Sequence, residues 1–135
     1  MLLFCYKNPI LLKTSWSGSQ KGYDCYPTTY SCRPRTAVYV RKELNFAELT
    51  SFSHQDCTVV FGKLNGVVTV IASIYLDILN QTVIPEVLKR LMTYVNSNNF
   101  HLILGIDSNA HSPLYGNDSS PRGDILEEFI LEHQL

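Results

Sequence analysis

Cys57-Thr-Val-Val-Phe-Gly-Lys-Leu64, then Asn65-Gly66, then Val67-Val-Thr-Val-Ile-Ala-Ser-Ile-Tyr75 reads as two β-rich runs around the dipeptide favoured in a type I′ turn. That is a hairpin, and its second run is apolar at successive positions rather than alternating. Such a strand belongs inside a sheet covered on both faces. Upstream, Thr36 to Arg41 reads as a further strand, and Glu43 to Asp56 as a polar connection. Downstream, Ile84, Val87, Leu88, Leu91 and Val95 have the three-and-four spacing of a helix with one buried face. Thr82 or Asn80 could cap it, and Pro85 is tolerated because it falls in the first turn. Asn96 to Asn99 closes that helix, and Phe100 to Ile106 follows as a buried strand beside the hairpin. Asp124-Ile-Leu-Glu127 has the shape of a capping box opening a helix that buries Ile125, Leu126 and Phe129. Strands, helix, strand and helix in this order predict a layered α/β architecture.

The chemistry concentrates where the last strand stops. In Leu102-Ile-Leu-Gly-Ile-Asp-Ser-Asn-Ala-His-Ser-Pro-Leu-Tyr-Gly116 an apolar run ends abruptly in Asp107, Asn109 and His111. Alternate residues of a strand share a face, so Asp107 and Asn109 are expected to emerge together where a buried strand opens into a loop. There an ionised Asp can orient or deprotonate a water, and a neighbouring amide can donate to an anionic oxygen such as that of a phosphate. The pair suits hydrolysis of a phosphodiester. Asp, Asn, Ser, Pro and Gly are equally ordinary loop residues after a strand, so spacing alone does not decide the matter.

Length and composition set bounds. At 135 residues, 45% hydrophobic and 17% charged, the chain reads as one globular domain, without low-complexity or repeated segments. The net charge of −1 conceals an asymmetry: Met1 to Lys42 carries +6, while Glu43 to Leu135 carries −7. The basic part could follow a phosphate backbone or be an ordinary solvated face. A pI near 6.4 argues against a sequence-independent DNA coat. Cysteines at 5, 25, 32 and 57 form no Cys-x-x-Cys, which points to reduced structural thiols rather than zinc. Met1-Leu-Leu-Phe-Cys-Tyr6 is too short to span a membrane and is broken by Lys7, Asn8 and Pro9. The expectation is an intracellular protein without a membrane partner.

The whole string Gly-x-Asp-x-Asn-Ala-His-Ser-x-x-x-Gly, followed by Arg122-Gly123 and a short helix, resembles the endonuclease domain of non-LTR retrotransposons. That is a branch of the endonuclease/exonuclease/phosphatase superfamily. Arg33-Pro-Arg35-Thr-Ala-Val-Tyr-Val40 is similar to the family's Arg-Pro-Arg strand, and Val70-Ile-Ala-Ser-Ile-Tyr75 to its Ser-x-Tyr strand. The likeness thus runs from Arg33 to Leu135, and it implies part of a two-sheet α/β sandwich of the DNase I-like type in a single, partial domain. It also implies Mg²⁺-dependent nicking of DNA in the nucleus, alongside a reverse transcriptase in the full element. The residues carried over are Asp107 for the attacking water, Asn109 for the scissile phosphate and Tyr75 as donor to it. His111 and Ser112 fit the retrotransposon form of the motif and either brace the loop or touch DNA, and Arg35 is a candidate for contact with the DNA backbone.

Two parts of the family's machinery have no match in the residues. The resemblance implies an Asp-His pair toward the carboxyl end, yet His54, His101, His111 and His133 follow Ser, Phe, Ala and Glu. It also implies a Glu on Mg²⁺ near the amino end, and the register that aligns Trp16 puts Thr14 in its place. A neutral hydroxyl is a poor substitute for a carboxylate on that ion. The expectation is a truncated domain that does not nick DNA at a useful rate. A remnant without activity and a cellular phosphodiesterase or phosphatase of the same superfamily are the alternatives, the latter disfavoured by the His-Ser and Arg-Gly details.

Overall fold

A computed structural model describes residues 10–13, 21–27, 34–109 and 120–135. The hairpin is there as read. β5 (Cys57–Leu64) and β6 (Val67–Tyr75) pair antiparallel from Leu64↔Val67 to Cys57↔Ile74. Asn65 and Gly66 both take positive φ, 50° and 83°, as a type I′ turn requires. Six consecutive residues of β6, Thr69 to Ile74, are buried, because the strand has neighbours above and below as well as beside it.

Around this hairpin lie two sheets. β1 (Ile10–Lys13), β2 (Tyr23–Pro27) and β3 (Ala37–Arg41) form an antiparallel sheet in the order β1-β3-β2. β4 (Ala47–Glu48) and β7 (His101–Asp107) flank the hairpin in the order β4-β5-β6-β7. β7 runs parallel to β6, which requires a long crossover, supplied by α1 (Glu86–Asn98). α1 and α2 (Pro121–Glu132) pack on one face of the four-stranded sheet. Leu88, Leu91, Met92 and Val95 of α1, with Leu126 and Phe129 of α2, meet Val59, Val70, Ala72 and Ile74 there. The opposite face meets the three-stranded sheet through Val38, Val40, Phe46, Val60 and Ile71.

Four expectations need correction. The connection between β3 and β5 is not merely polar: it holds a 3-10 turn (Lys42–Leu44), the edge strand β4, and the buried Phe46, Phe52 and Ser53. Neither Thr82 nor Asn80 caps α1, which starts after Pro85 without a side-chain cap. Asn80 is spent locally, its Oδ1 accepting from the Thr82 amide at 3.1 Å. α2 does not open at Asp124. Ser120 is its cap, accepting from the Gly123 amide at 3.0 Å, and Pro121 occupies the first turn, where a missing N–H costs nothing. The earlier start buries Gly123, Leu126 and Phe129 and leaves Ile125 exposed. β7, finally, is half-buried rather than buried, since among the described residues it pairs on one edge only. Among those residues no helix is long and apolar enough to cross a membrane.

Phe46 explains a glycine inside a strand. A Cβ on Gly62 would lie 2.6 Å from the Phe46 ring, far inside van der Waals contact. Gly62→Ala should therefore cost about 1–3 kcal/mol through overpacking, read as a lower urea midpoint with unchanged slope. Ser120→Ala should cost about 1 kcal/mol through the lost cap. Unchanged midpoints in both variants would contradict these packing and capping assignments.

Candidate functional site

β6 and β7 end level with each other. Their parallel register pairs Tyr75 with Asp107, Ser73 with Gly105 and Ile71 with Ile103. Paired residues of a ladder project from the same face about 4.8 Å apart, so the phenol and the carboxylate leave the sheet side by side. The face they share is the one turned to the three-stranded sheet, since the other parity, Val70, Ala72, Ile74 with Leu102, Leu104 and Ile106, packs on the helices.

Between the sheets the chemistry changes along the strands. One end is apolar, built from Val38, Val40, Val60 and Ile71. Toward the site come Thr36, Thr58 and Ser73, all buried. Thr36 and Thr58 share a hydrogen bond of 2.9 Å between their hydroxyls, and Thr58 Oγ1 also reaches the Thr36 carbonyl at 3.2 Å. The layer ends at half-buried Tyr75 and Asp107. Among the described residues neither the Asp107 carboxylate nor the Tyr75 hydroxyl has a hydrogen-bond partner. An acid and a phenol on a dry, hydrogen-bonded floor, with their polar atoms uncommitted to those residues, can receive a ligand.

Asn109 reaches this place by another route than strand alternation. β7 stops at Asp107, and Asn109 stands beyond it with φ 46°, a left-handed conformation that Asn tolerates better than most residues. Its Nδ2 donates to the Leu76 carbonyl at 3.1 Å, while the Leu76 amide donates to the Asp107 carbonyl at 2.8 Å. One amide hydrogen thus ties the end of β7 to the end of β6, and the second, with Oδ1, has no partner among the described residues.

Arg35 stands over Tyr75. Its Cζ lies 4.6 Å from the centre of the phenol ring. The guanidinium grips Asp56 through two parallel bonds, Nε to Oδ1 at 2.5 Å and Nη2 to Oδ2 at 2.7 Å, and Nη1 donates to Asp77 Oδ2 at 2.7 Å. The planar fork suits this two-point grip as an ammonium would not. Asp77 is held below the usual carboxylate range, first by the Leu79 amide on its carboxylate and then by Arg35. A second arginine works through carbonyls: Arg122 donates to Asp77 O at 2.8 Å, Asn80 O at 3.0 Å and Ser108 O at 3.3 Å. The segments after β6 and after β7 are thereby tied to the first turn of α2.

The structure thus brings Tyr75, Asp107, Asn109 and Arg35 together, whereas Thr14, His111 and Ser112 lie outside the described residues. The roles of Asp56, Asp77 and Arg122 could not be read from the sequence. No local pattern pairs Arg35 with acids 21 and 42 residues away. Cys57 is no nucleophile: burial pushes its thiol up to about 12 and keeps it protonated at neutral pH. An apolar groove of about 580 Å³ lined by Leu102, Leu104, Ile106, Met92, Leu126 and Ile130 lies on the helix side of β7, away from these polar groups.

A helix-backed sheet on a second sheet, with Tyr and Asp level at the ends of parallel strands, defines a DNase I-like α/β sandwich, and solved structures agree. The chain is similar to the endonuclease domain of TRAS1, a telomere-specific non-LTR retrotransposon, with a TM-score of 0.73 and 19% identity over 94% of this chain and 59% of that one. The chain thus spans less than two thirds of that domain. Residues 69–135 match the family described as endonuclease-reverse transcriptase. No curated protein matches.

Arg35→Leu should remove three charge-assisted bonds, leaving Asp56 without its fork and Asp77 with the Leu79 amide alone, and should lower stability at neutral pH. Because the folded state depresses the Asp77 carboxyl, that contribution is present above the ordinary carboxylate range and is lost as pH falls through the folded value. Urea titrations of both chains should therefore differ at pH 7 and converge in acid. A constant gap across that range would show that the guanidinium acts by packing alone.

Proposed function

We propose that this chain is part of a retrotransposon endonuclease whose substrate is DNA, with phosphodiester hydrolysis as its chemistry. The observation that carries the reading is the level pairing of Tyr75 with Asp107 on the inter-sheet face, both with polar atoms uncommitted to the described residues. Asp107 orients a water and takes its proton as the oxygen attacks phosphorus. One P–O bond forms and another breaks, and the departing oxygen takes up, through solvent, the proton that Asp107 has received. The Tyr75 hydroxyl donates to a non-bridging oxygen, and the free hydrogen of the Asn109 amide to the phosphate. His111 and Ser112, next in sequence, are further DNA contacts in this reading. For Arg35 the geometry favours steadying Tyr75 over meeting a phosphate, since two carboxylates already balance its charge.

Mg²⁺ belongs to this reading by family likeness, where it would stabilise charge on the phosphoryl oxygens. Among the described residues no three of His, Cys, Asp or Glu gather closely enough to hold a metal ion. The steps above therefore involve only the chain's own groups. A reverse transcriptase in the same element and a nuclear site of action complete the proposal. The neutral Thr14, standing where the family likeness implies a Glu, favours a second reading, a chain that keeps the fold and binds DNA without turnover.

Relaxation of supercoiled plasmid in Mg²⁺ or Mn²⁺ separates the two. Slow nicking at most is expected of the unmodified chain, with a gain in Thr14→Glu. Adding Asp107→Asn to that variant should lower the rate by about 10²- to 10⁴-fold. Cleavage indifferent to Asp107→Asn would overturn the site, and plasmid binding without cleavage in both the unmodified and Thr14→Glu chains would select the second reading.

A further inference from the structure

The turn after Tyr75 carries a feature that the hydrolytic site does not use. Ile78 and Leu79 are 63% and 87% exposed, and Leu79 is the most exposed large apolar side chain among the described residues. An exposed loop ordinarily carries polar residues at its tip, yet here two branched aliphatics stand next to each other. Their support is stiff. The Asp77 carboxylate accepts from the Leu79 amide at 2.9 Å, and the Asp77 carbonyl from the Asn80 amide at 3.1 Å. Arg35 holds the Asp77 side chain, and Arg122 holds the carbonyls of Asp77 and Asn80 on either side of the pair. Two cations from distant parts of the chain thus fix a short turn whose apolar side chains stand exposed.

We infer that Ile78 and Leu79 form a wedge that enters a base step of duplex DNA beside the scissile phosphate. The inference rests on the DNA-cleaving reading of the Tyr75–Asp107 site and adds to it a means of choosing where to cut. Two side chains are too small a patch for a protein interface, which needs several hundred Å² per partner. They match what opens a base step: one or two apolar side chains on a rigid support, inserted between stacked bases. Leu79 lies four residues from Tyr75, so the chain can carry it no more than about 14 Å away, a few base steps along the duplex. A wedge at that distance favours steps that unstack easily, TA above all, over stiff A-tracts.

The test uses the whole chain with a short duplex containing one central TA step in which 2-aminopurine replaces the adenine. EDTA is present so that no cleavage intervenes. Binding is followed by anisotropy of an end label and unstacking by 2-aminopurine fluorescence. The wild-type chain should raise that fluorescence and prefer the TA duplex over an A-tract duplex on the order of tenfold. Ile78→Ser with Leu79→Ser should keep the melting temperature, since both side chains are exposed, and should lose the fluorescence rise and the preference while still binding. Leu79→Met, which keeps an apolar tip, should retain both. Binding by the wild type without a fluorescence rise, or an equal rise in the serine variant, overturns the wedge alone. Failure of the wild type to bind either duplex overturns the wedge together with the DNA reading beneath it.

Discussion

The parallel ladder between β6 and β7 is the constraint on which the site depends. Side chains alternate with a period of two, so a slip of one residue would send Asp107 to the helix side and bring Ile106 to the inter-sheet side. What prevents the slip is the apolar parity: Leu102, Leu104 and Ile106 pack under α1 and α2 beside Val70, Ala72 and Ile74. Placement of an acid next to a phenol is thus enforced by aliphatic side chains on the opposite face, which never meet them.

Beyond the ladder, charge takes over from apolar packing. At the ends of β6 and β7 the backbone leaves regular structure, and its carbonyls and carboxylates need partners. Arg35 and Arg122 supply them from elements remote in sequence, one through two carboxylates and the other through three carbonyls. The rim therefore has the stiffness of a hydrogen-bonded element without being one. Groups held this way need not be reorganised when they meet a charged ligand.

What could be read from the residues follows this division. The hairpin was legible to its last residue, because a positive-φ dipeptide between continuous apolar runs admits few other structures, and the crossover helix and the following strand were legible from their periods. The start of α2 was misread: the acids at Asp124 and Glu127 mimic a capping box, while the true signal, Ser120 before Pro121, is shorter. Asp107 was legible because it interrupts an apolar strand. Asn109 stood out as a residue type, but its position did not, since the strand ends before alternation could reach it. The partners of Arg35 were illegible because they come together only through tertiary packing. Thr14, His111 and Ser112 lie outside the described residues, so their expected roles stay with the family likeness.

The crossover also bears on the order in which the molecule can be made. The β5–β6 hairpin closes over a two-residue turn and can form early, whereas pairing Thr69 with His101 first requires bringing together residues 32 apart in the chain. Tyr75 is in place with the hairpin, but Asp107 joins it only when that long loop has closed over α1. A nascent chain can therefore hold its most regular element, complete and protected, while possessing no site at all. Whatever the paired phenol and carboxylate do, they do only once the last non-local contact has formed, and the early hairpin alone cannot do it.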